Sequence, residues 1–193
     1  MSSFRDFLFN RDHSDAWSLV FAMTGVRLGE RQLLIGDDAE LFARLAGKVG
    51  LTGHLAVVVA SEHAAARVEA AAASAGVLIE DIRRTTLPEV PGDPGQFDLA
   101  VLNAGPVLLS LRGEQREALA RHVHRALRMG GRAVVVEGRP PRFFGLVRTQ
   151  PEGLGQFHAE GGATRMLEAG GFRPVRVLAD RDGQRFTEGL KTA

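Results

Sequence analysis

The 193-residue chain carries 24 basic and 23 acidic residues, a formal net charge of +1, so its overall charge attracts neither nucleic acid nor an anionic membrane. It contains no cysteine, which excludes disulfides, thiolate metal sites and a cysteine nucleophile. The length suits one sizeable domain, and no segment has the composition of a linker between two domains.

Neither the N-terminus nor any apolar run predicts secretion or membrane insertion. Charged residues interrupt the apolar ones in MSSFRDFLFNRDHSD, so the continuous apolar core of a signal peptide is missing. The longest apolar runs, AWSLVFAM and LAVVVA, are far shorter than the ~20 residues that cross a bilayer. We therefore expect a soluble, cytoplasmic protein.

Short apolar runs alternate with helical periodicity along the chain. Ser14 predicts the start of a helix that continues to Thr24. The predicted strands are then Gln32–Gly36, Leu55–Ala60, Val77–Arg83, Phe97–Asn103 and Arg132–Glu137. The predicted helices are Ala39–Val49, Glu62–Ala75 and Arg112–Met129. Runs such as AVVVA and AVVVE are apolar throughout, which is typical of parallel strands buried on both faces.

The C-terminal stretch FRPVRVLADRDGQRFTEGLK has a different pattern. Two alternating runs flank Asp182 and Gly183, a dipeptide that favours a two-residue hairpin turn. The fold class is therefore α/β, with a doubly wound, mostly parallel seven-stranded sheet that ends in an antiparallel hairpin. We expect a single domain over residues 28–193, with residues 1–27 as a helical segment lying over the sheet.

Three stretches resemble the class I S-adenosylmethionine-dependent methyltransferases. They are PGQFDLAVLNAG, ALRMGGRAVVVEG and LEAGGFRPVRVLADRDGQRFTEGLK, and the resemblance covers roughly residues 28 to 193. It implies a Rossmann-like methyltransferase fold, S-adenosylmethionine as the cofactor and methyl transfer as the reaction. A fold alone does not establish an activity, so the residues of the cofactor site decide how far the resemblance extends.

The turn after the first strand departs from the family pattern of an acid followed by Gly-x-Gly-x-Gly. In RQLLIGDDAEL, Leu34 stands at the position of the acid, and Gly36 is the only glycine of the three. Asp38 and Glu40 replace the later glycines. Either Asp37, Asp38 and Glu40 attract the positively charged methionine end of the cofactor, or Asp37 or Asp38 caps the following helix. Their negative charge disfavours a dinucleotide.

The resemblance places further cofactor contacts after the second and third strands. Val59 or Ala60 stands where the family has an acid that accepts both ribose hydroxyls, and Ser61 and Glu62 follow. The ordinary role of Glu62, at the start of a helix, is to favour the helix dipole. Thr85 or Thr86 lies where an acid would contact adenine. We therefore expect S-adenosylmethionine to bind weakly or not at all.

Two functions remain open from the sequence. In an active methyltransferase, Asn103 at the end of the fourth strand would position the acceptor, either a small molecule or a macromolecule. In a non-catalytic relative, the chain would keep the fold and bind a protein partner. The candidate loop for substrate or partner follows the fifth strand, and its residues are Arg139, Arg142, Phe143, Phe144, Arg148 and His158. Arginines beside aromatic rings suit an anionic substrate, a nucleic acid base or a protein partner.

Histidines supply the remaining candidates. Two pairs outside the regular elements have the residue types of a general base or a ligand set: His13 with Asp15, and His158 with Glu160. His122 and His124 are two apart on a predicted helix and do not share a face, so no metal site is predicted. The chain has no serine flanked by the glycines of a nucleophile elbow, which argues against a hydrolase.

Overall fold

The computed structural model describes residues 17–79, 81–138 and 151–192. The strands are β1 (Arg31–Ile35), β2 (His54–Val59), β3 (Asp81–Arg84), β4 (Phe97–Asn103), β5 (Leu127–Gly138), β6 (Val175–Arg181) and β7 (Gln184–Leu190). The helices are α1 (17–24), α2 (Ala39–Val49), α3 (Glu62–Ala75), α4 (Pro106–Leu109), α5 (Gly113–Ala126), α6 (Leu154–Ala159) and α7 (Gly162–Ala169). Several candidates lie outside the described residues, namely His13, Ser14, Asp15, Arg139, Arg142, Phe143, Phe144 and Arg148.

The seven strands form one sheet in the order β3-β2-β1-β4-β5-β7-β6. The first five strands are parallel, and β7 runs antiparallel to both β5 and β6. Asp182 and Gly183 have φ angles of 55° and 69°, which suit a two-residue turn with positive φ at both positions. The predicted fold class and its terminal hairpin are confirmed.

Helices cover both faces of the sheet. Because side chains alternate along a strand, Leu33 and Ile35 enter one core while Leu34 enters the other. The core that contains Leu34 also holds Trp17 of α1 and Phe42 of α2, and α3 packs into it. The opposite core is built with α4, α5, α6 and α7. Among the described residues, no helix is both long and apolar enough to cross a bilayer.

The predicted bounds are right for α2, α3 and β4 and wrong for β3. The alternation beginning at Val77 predicts a strand, yet β3 begins at Asp81. Gly76 ends α3 in the left-handed conformation with a φ of 66°, and the amide of Val77 donates to the carbonyl of Ala72 at 3.0 Å. Residue 77 therefore still satisfies a carbonyl of α3 and is not free to pair with β2.

The helix predicted over Arg112–Met129 is shorter in the structure, because α5 ends at Ala126. Leu127 is extended and pairs with Phe97, and the register then shifts before Arg132. This early pairing makes β5 twelve residues long.

The loop predicted after β5 includes His158, and this prediction is wrong for the second half of the segment. Residues 154–159 form α6, and α7 follows from Gly162. Leu154 and Phe157 of α6 are buried against the sheet, so packing stabilises a helix too short to be predicted from its own sequence. His158 therefore lies on a helix and not in a loop.

Candidate functional site

The carboxyl ends of β1 and β4 lie side by side at the point where the strand order of the sheet reverses. The helix after β1 covers one face and the helix after β4 covers the other, a topology that places a crevice between the two strand ends in open α/β sheets. Ligands of open α/β sheets bind in crevices of this kind. Gly36 and Asn103 face each other there: a Cβ on Gly36 would lie 3.0 Å from Cβ of Asn103. Gly36 also has a φ of 137°, which other residues rarely adopt.

Two side-chain oxygens converge beside Gly105, the residue that precedes α4. A Cβ added at Gly105 would collide with Oδ1 of Asp37 and with Oδ1 of Asn103. Asn103 is 4 % exposed, and its Oδ1 has no hydrogen-bond partner among the described residues. A buried acceptor without a partner is costly, so the pair of oxygens suits a hydrogen-bond donor. Gly105 is not among the predicted site residues, although a glycine two residues after the polar strand end at Asn103 is a signal in the sequence.

Asp38 and Glu40 serve the helix that follows the turn. Asp38 is 7 % exposed, and its Oδ1 accepts a hydrogen bond from the amide of Leu41 at 3.1 Å. Glu40 pairs with Arg44 on the exposed side of α2. Of the two roles considered for Asp38, capping is the one that the geometry shows, and the amide of Leu41 is already occupied.

The end of β2 offers no carboxylate at the expected ribose position. Val59 is 1 % exposed and packs in the core, and Ala60 is exposed. Glu62 extends over the surface, where it pairs with Arg84 at 2.8 Å. Among these residues, only a rearranged Glu62 could bring a carboxylate to the edge of the sheet.

Ser61 and Thr85 occupy structural positions near the same edge. The hydroxyl of Ser61 accepts from the amide of Ala64 at 3.1 Å and caps α3. The amide of Thr85 donates to the carbonyl of Val59 at 3.0 Å, which extends the pairing of β2 with β3. Thr85 is half-buried at the end of β3, the place where the resemblance puts an adenine contact.

His158 pairs with a residue other than the predicted Glu160. Its Nε2 contacts Oε2 of Glu137, a carboxylate that is 3 % exposed near the end of β5. Glu160 accepts instead from Gln156 at 2.8 Å and from Arg116 at 2.6 Å. These hydrogen bonds, from Gln156 first and Arg116 next, hold the pKa of Glu160 below its ordinary value. Glu137 was missed, although a charged residue ending an apolar strand was a signal.

His122 and His124 have separate surroundings, as their spacing predicts. The amide of Val90 donates to Nδ1 of His122 at 3.4 Å. The ring of His124 meets the ring of Phe172 edge-on, with centroids 4.9 Å apart. Within residues 17–79, 81–138 and 151–192, no three His, Asp or Glu side chains are grouped closely enough to hold a metal ion.

S-adenosylmethionine fits the two halves of this site unequally. Its methionine end carries an ammonium group, which complements the carboxylate of Asp37 and the amide oxygen of Asn103. Its ribose would meet the apolar Val59 and the exposed Ala60, which accept no hydrogen bond through their side chains. The residues present therefore favour binding of the methionine end, whereas the carboxylate that contacts the ribose in the family is missing at Val59 and Ala60.

The strand order and the terminal antiparallel hairpin are those of the Rossmann-like methyltransferase fold, and solved structures of that fold match the chain over most of its length. A SAM-dependent methyltransferase from Aquifex aeolicus aligns with a TM-score of 0.69 and 15 % identity, over 91 % of this chain and 89 % of that one. A SAM-dependent O-methyltransferase from Thermotoga maritima aligns with a TM-score of 0.65 and 17 % identity, over 93 % and 65 % of the two chains.

Other comparisons limit what this similarity establishes. The [4+2]-cyclase SpnF aligns with a TM-score of 0.63 and 15 % identity, over 91 % of this chain and 79 % of its own. No protein-family model and no curated protein sequence matches the chain. At these identities the similarity shows the fold, and a cyclase with the same fold illustrates why activity must be argued from the site.

Proposed function

We propose that the crevice at the carboxyl edge binds S-adenosylmethionine, mainly through its methionine end, and that the chain transfers the methyl group to a small-molecule acceptor. The observation that carries the proposal is the convergence of Asp37 and Asn103 beside Gly105. Two oxygens at one point, one of them buried without a partner, call for a donor with more than one N–H group. An ammonium group has three.

The glycines at the crevice support the same ligand. Side chains at Gly36 and Gly105 would clash with Asn103, so both positions keep the strand ends close together. The carboxylate of Asp37 supplies a negative charge that matches the ammonium and the sulfonium of the cofactor. The bound methyl donor then lies beside Asn103, and orienting the acceptor against it is the main contribution expected from the protein.

The adenosine end contributes less to this binding than in the family pattern. Loss of the charged acceptor for the ribose hydroxyls costs about 2 kcal/mol, or more than tenfold in affinity. We therefore expect a dissociation constant above the low-micromolar range.

Calorimetry with ligand fragments tests which end of the cofactor is recognised. S-adenosylhomocysteine retains the amino acid end, whereas 5′-methylthioadenosine lacks it. Wild-type protein should bind the first about tenfold more tightly than the second. The substitution Asp37→Asn should weaken binding of S-adenosylhomocysteine and leave binding of 5′-methylthioadenosine unchanged, because the proposal places only the amino acid end at residue 37.

Glu40→Gln is the matched control, since it removes a carboxylate three residues further along that points to Arg44 on the outside of α2. It should change neither affinity. Equal binding of the two fragments would contradict recognition through the methionine end.

A non-catalytic binding module is the second candidate function. The capping role of Asp38 and the burial of Val59 favour it, because both place the chain's own groups where the family binds cofactor. The same titration separates the two candidates: absence of binding by S-adenosylmethionine and by both fragments would support the non-catalytic module.

A further inference from the structure

The paired side chains of Glu137 and His158 join β5 to α6 at the carboxyl edge of the sheet. Glu137 is almost fully buried, while the side chain of His158 is 40 % exposed. The buried carboxylate is costly to desolvate unless a polar group satisfies it, and the imidazole does so. The pair therefore combines a fixed inner group with an outer ring that solutes can reach.

The contact selects one tautomer of the histidine. An ionised carboxylate accepts hydrogen bonds and donates none, so Nε2 of His158 carries the proton that Glu137 accepts. Nδ1 is then the unprotonated nitrogen, and it is the one able to take up a further proton. A carboxylate that orients an imidazole in this way also stabilises the imidazolium that forms.

The pair lies one strand away from the proposed methyl donor site. Asn103 pairs with Val136, and Glu137 is the next residue of β5. Neighbouring strands are about 5 Å apart, so the backbone of Glu137 is close to the end of β4. Because side chains alternate, Glu137 points to the face covered by α6, opposite to Asn103. An acceptor above the ends of β4 and β5 would have the donor on one side and His158 on the other.

We propose that His158 is the general base for the methyl acceptor, that Glu137 positions it, and that the acceptor group is a phenol or alcohol hydroxyl. This inference rests on the proposed function. When the O–H bond of the acceptor breaks, its proton passes to Nδ1 of His158. The electron pair left on oxygen forms the bond to the methyl carbon, and the carbon–sulfur bond breaks with its electrons on sulfur. The imidazolium is balanced by the charge of Glu137.

A hydroxyl acceptor follows from the need for a base. A carboxylate is already ionised at neutral pH and needs no base. An alkyl amine is protonated at neutral pH, and its positive charge would be repelled by the sulfonium of the methyl donor. A phenol, with a pKa of about 10, is a weak nucleophile until a base removes its proton. A preorganised histidine is useful for that class of acceptor.

The first experiment compares two acceptors at mildly alkaline pH: phenol, which is protonated, and 4-nitrophenol, which is largely ionised. His158→Gln should lower the rate with phenol about 100-fold and change the rate with 4-nitrophenol by less than about threefold. Glu137→Gln should lower the phenol rate less than His158→Gln does, since it misorients the base without removing it. Equal losses for both acceptors, or no loss with phenol, would overturn the proposal.

The second measurement does not depend on turnover. Diethyl pyrocarbonate modifies neutral imidazoles, and mass spectrometry reports the rate at each histidine. At mildly alkaline pH, where both rings are neutral, His158 should react faster than His63, an exposed histidine on α3, because the hydrogen bond to Glu137 makes its Nδ1 more nucleophilic. The difference should disappear in Glu137→Gln. If His158 reacts no faster than His63, the proposal is wrong, whether or not either phenol is methylated.

Binding of S-adenosylhomocysteine separates failure of this inference from failure of the proposed function. His158→Gln should bind it as the wild type does, because the base acts on the acceptor. If the wild type does not bind the ligand, the proposed function fails, and the general-base assignment fails with it. Wild-type binding without enhanced reactivity of His158 overturns the general base alone.

Discussion

His124 lies on α5 with its ring edge against Phe172, at an interplanar angle of 81°. Burial of the ring lowers the pKa of His124, and the positive charge of Lys191 lowers it further. Both effects disfavour the charged imidazole in the folded protein. The unfolded chain, in which the ring is solvated, therefore binds a proton more readily at mildly acidic pH.

This difference predicts a loss of stability on acidification. Stability should fall as the pH drops through the unfolded pKa of about 6.5, and the loss should stop below the folded pKa. His124→Gln removes the titrating group, so its free energy of unfolding should depend less on pH in this range. Urea unfolding on each side of the range measures the effect, with His63→Gln on the exposed face of α3 as the control. Equal pH dependence of wild type and His124→Gln would contradict the assignment.

At the scale of elements, α2 and α3 both begin with a side-chain N-cap, a carboxylate in α2 and a hydroxyl in α3. The carboxylate of Asp38 accepts from the amide of Leu41, and the hydroxyl of Ser61 accepts from the amide of Ala64, both at 3.1 Å. Each cap satisfies one of the free amides at a helix start. Asp38 adds a negative charge at the positive end of the helix dipole.

Removing the caps should therefore cost similar amounts of stability. Asp38→Ala and Ser61→Ala should each lower the free energy of unfolding by about 1 kcal/mol. Asp38→Asn should keep most of the stabilisation from the cap, because asparagine also caps helices well. Chemical denaturation measures all three. If Asp38→Ala weakens S-adenosylhomocysteine binding and leaves stability unchanged, Asp38 is a ligand contact and the capping role is secondary.

At the scale of the whole molecule, binding in the crevice should stabilise the entire domain, because a ligand stabilises the state that it binds. The missing ribose contact offers a way to increase that effect. Ala60 is exposed directly after β2, so Ala60→Asp should add a ribose acceptor with little cost in stability. S-adenosylhomocysteine and 5′-methylthioadenosine should both bind more tightly, since both contain the ribose.

The expected readout is the ligand-induced rise in melting temperature, which should be larger for Ala60→Asp than for the wild type with either ligand. His63→Asp, another exposed position one residue into α3, serves as a control for added negative charge. A smaller rise in Ala60→Asp would indicate that the ribose lies elsewhere.

The parts of the fold that were predictable from sequence depend on local patterns. Helices α2 and α3 have clear caps and apolar periodicity, and the Asp182-Gly183 turn specifies its hairpin. The pairing of Glu137 with His158 was not predictable, because it joins residues 21 apart in sequence and depends on how α6 packs on the sheet. The convergence of oxygens beside Gly105 depends in the same way on the register of β1 against β4. The local periodicity of the sequence predicts neither the Glu137–His158 pair nor the oxygens beside Gly105.

The position of β7 between β5 and β6 has a consequence for synthesis on the ribosome. One edge of β5 pairs with β7, and β6 joins the sheet only through β7. Both β5 and β6 therefore lack this partner strand until β7 has left the exit tunnel. During that interval, the apolar β5 presents an open edge to which a neighbouring nascent chain could pair. The final strand of the sheet thus covers the apolar edge of β5, and an interruption of translation before Gln184 would leave a chain prone to aggregate.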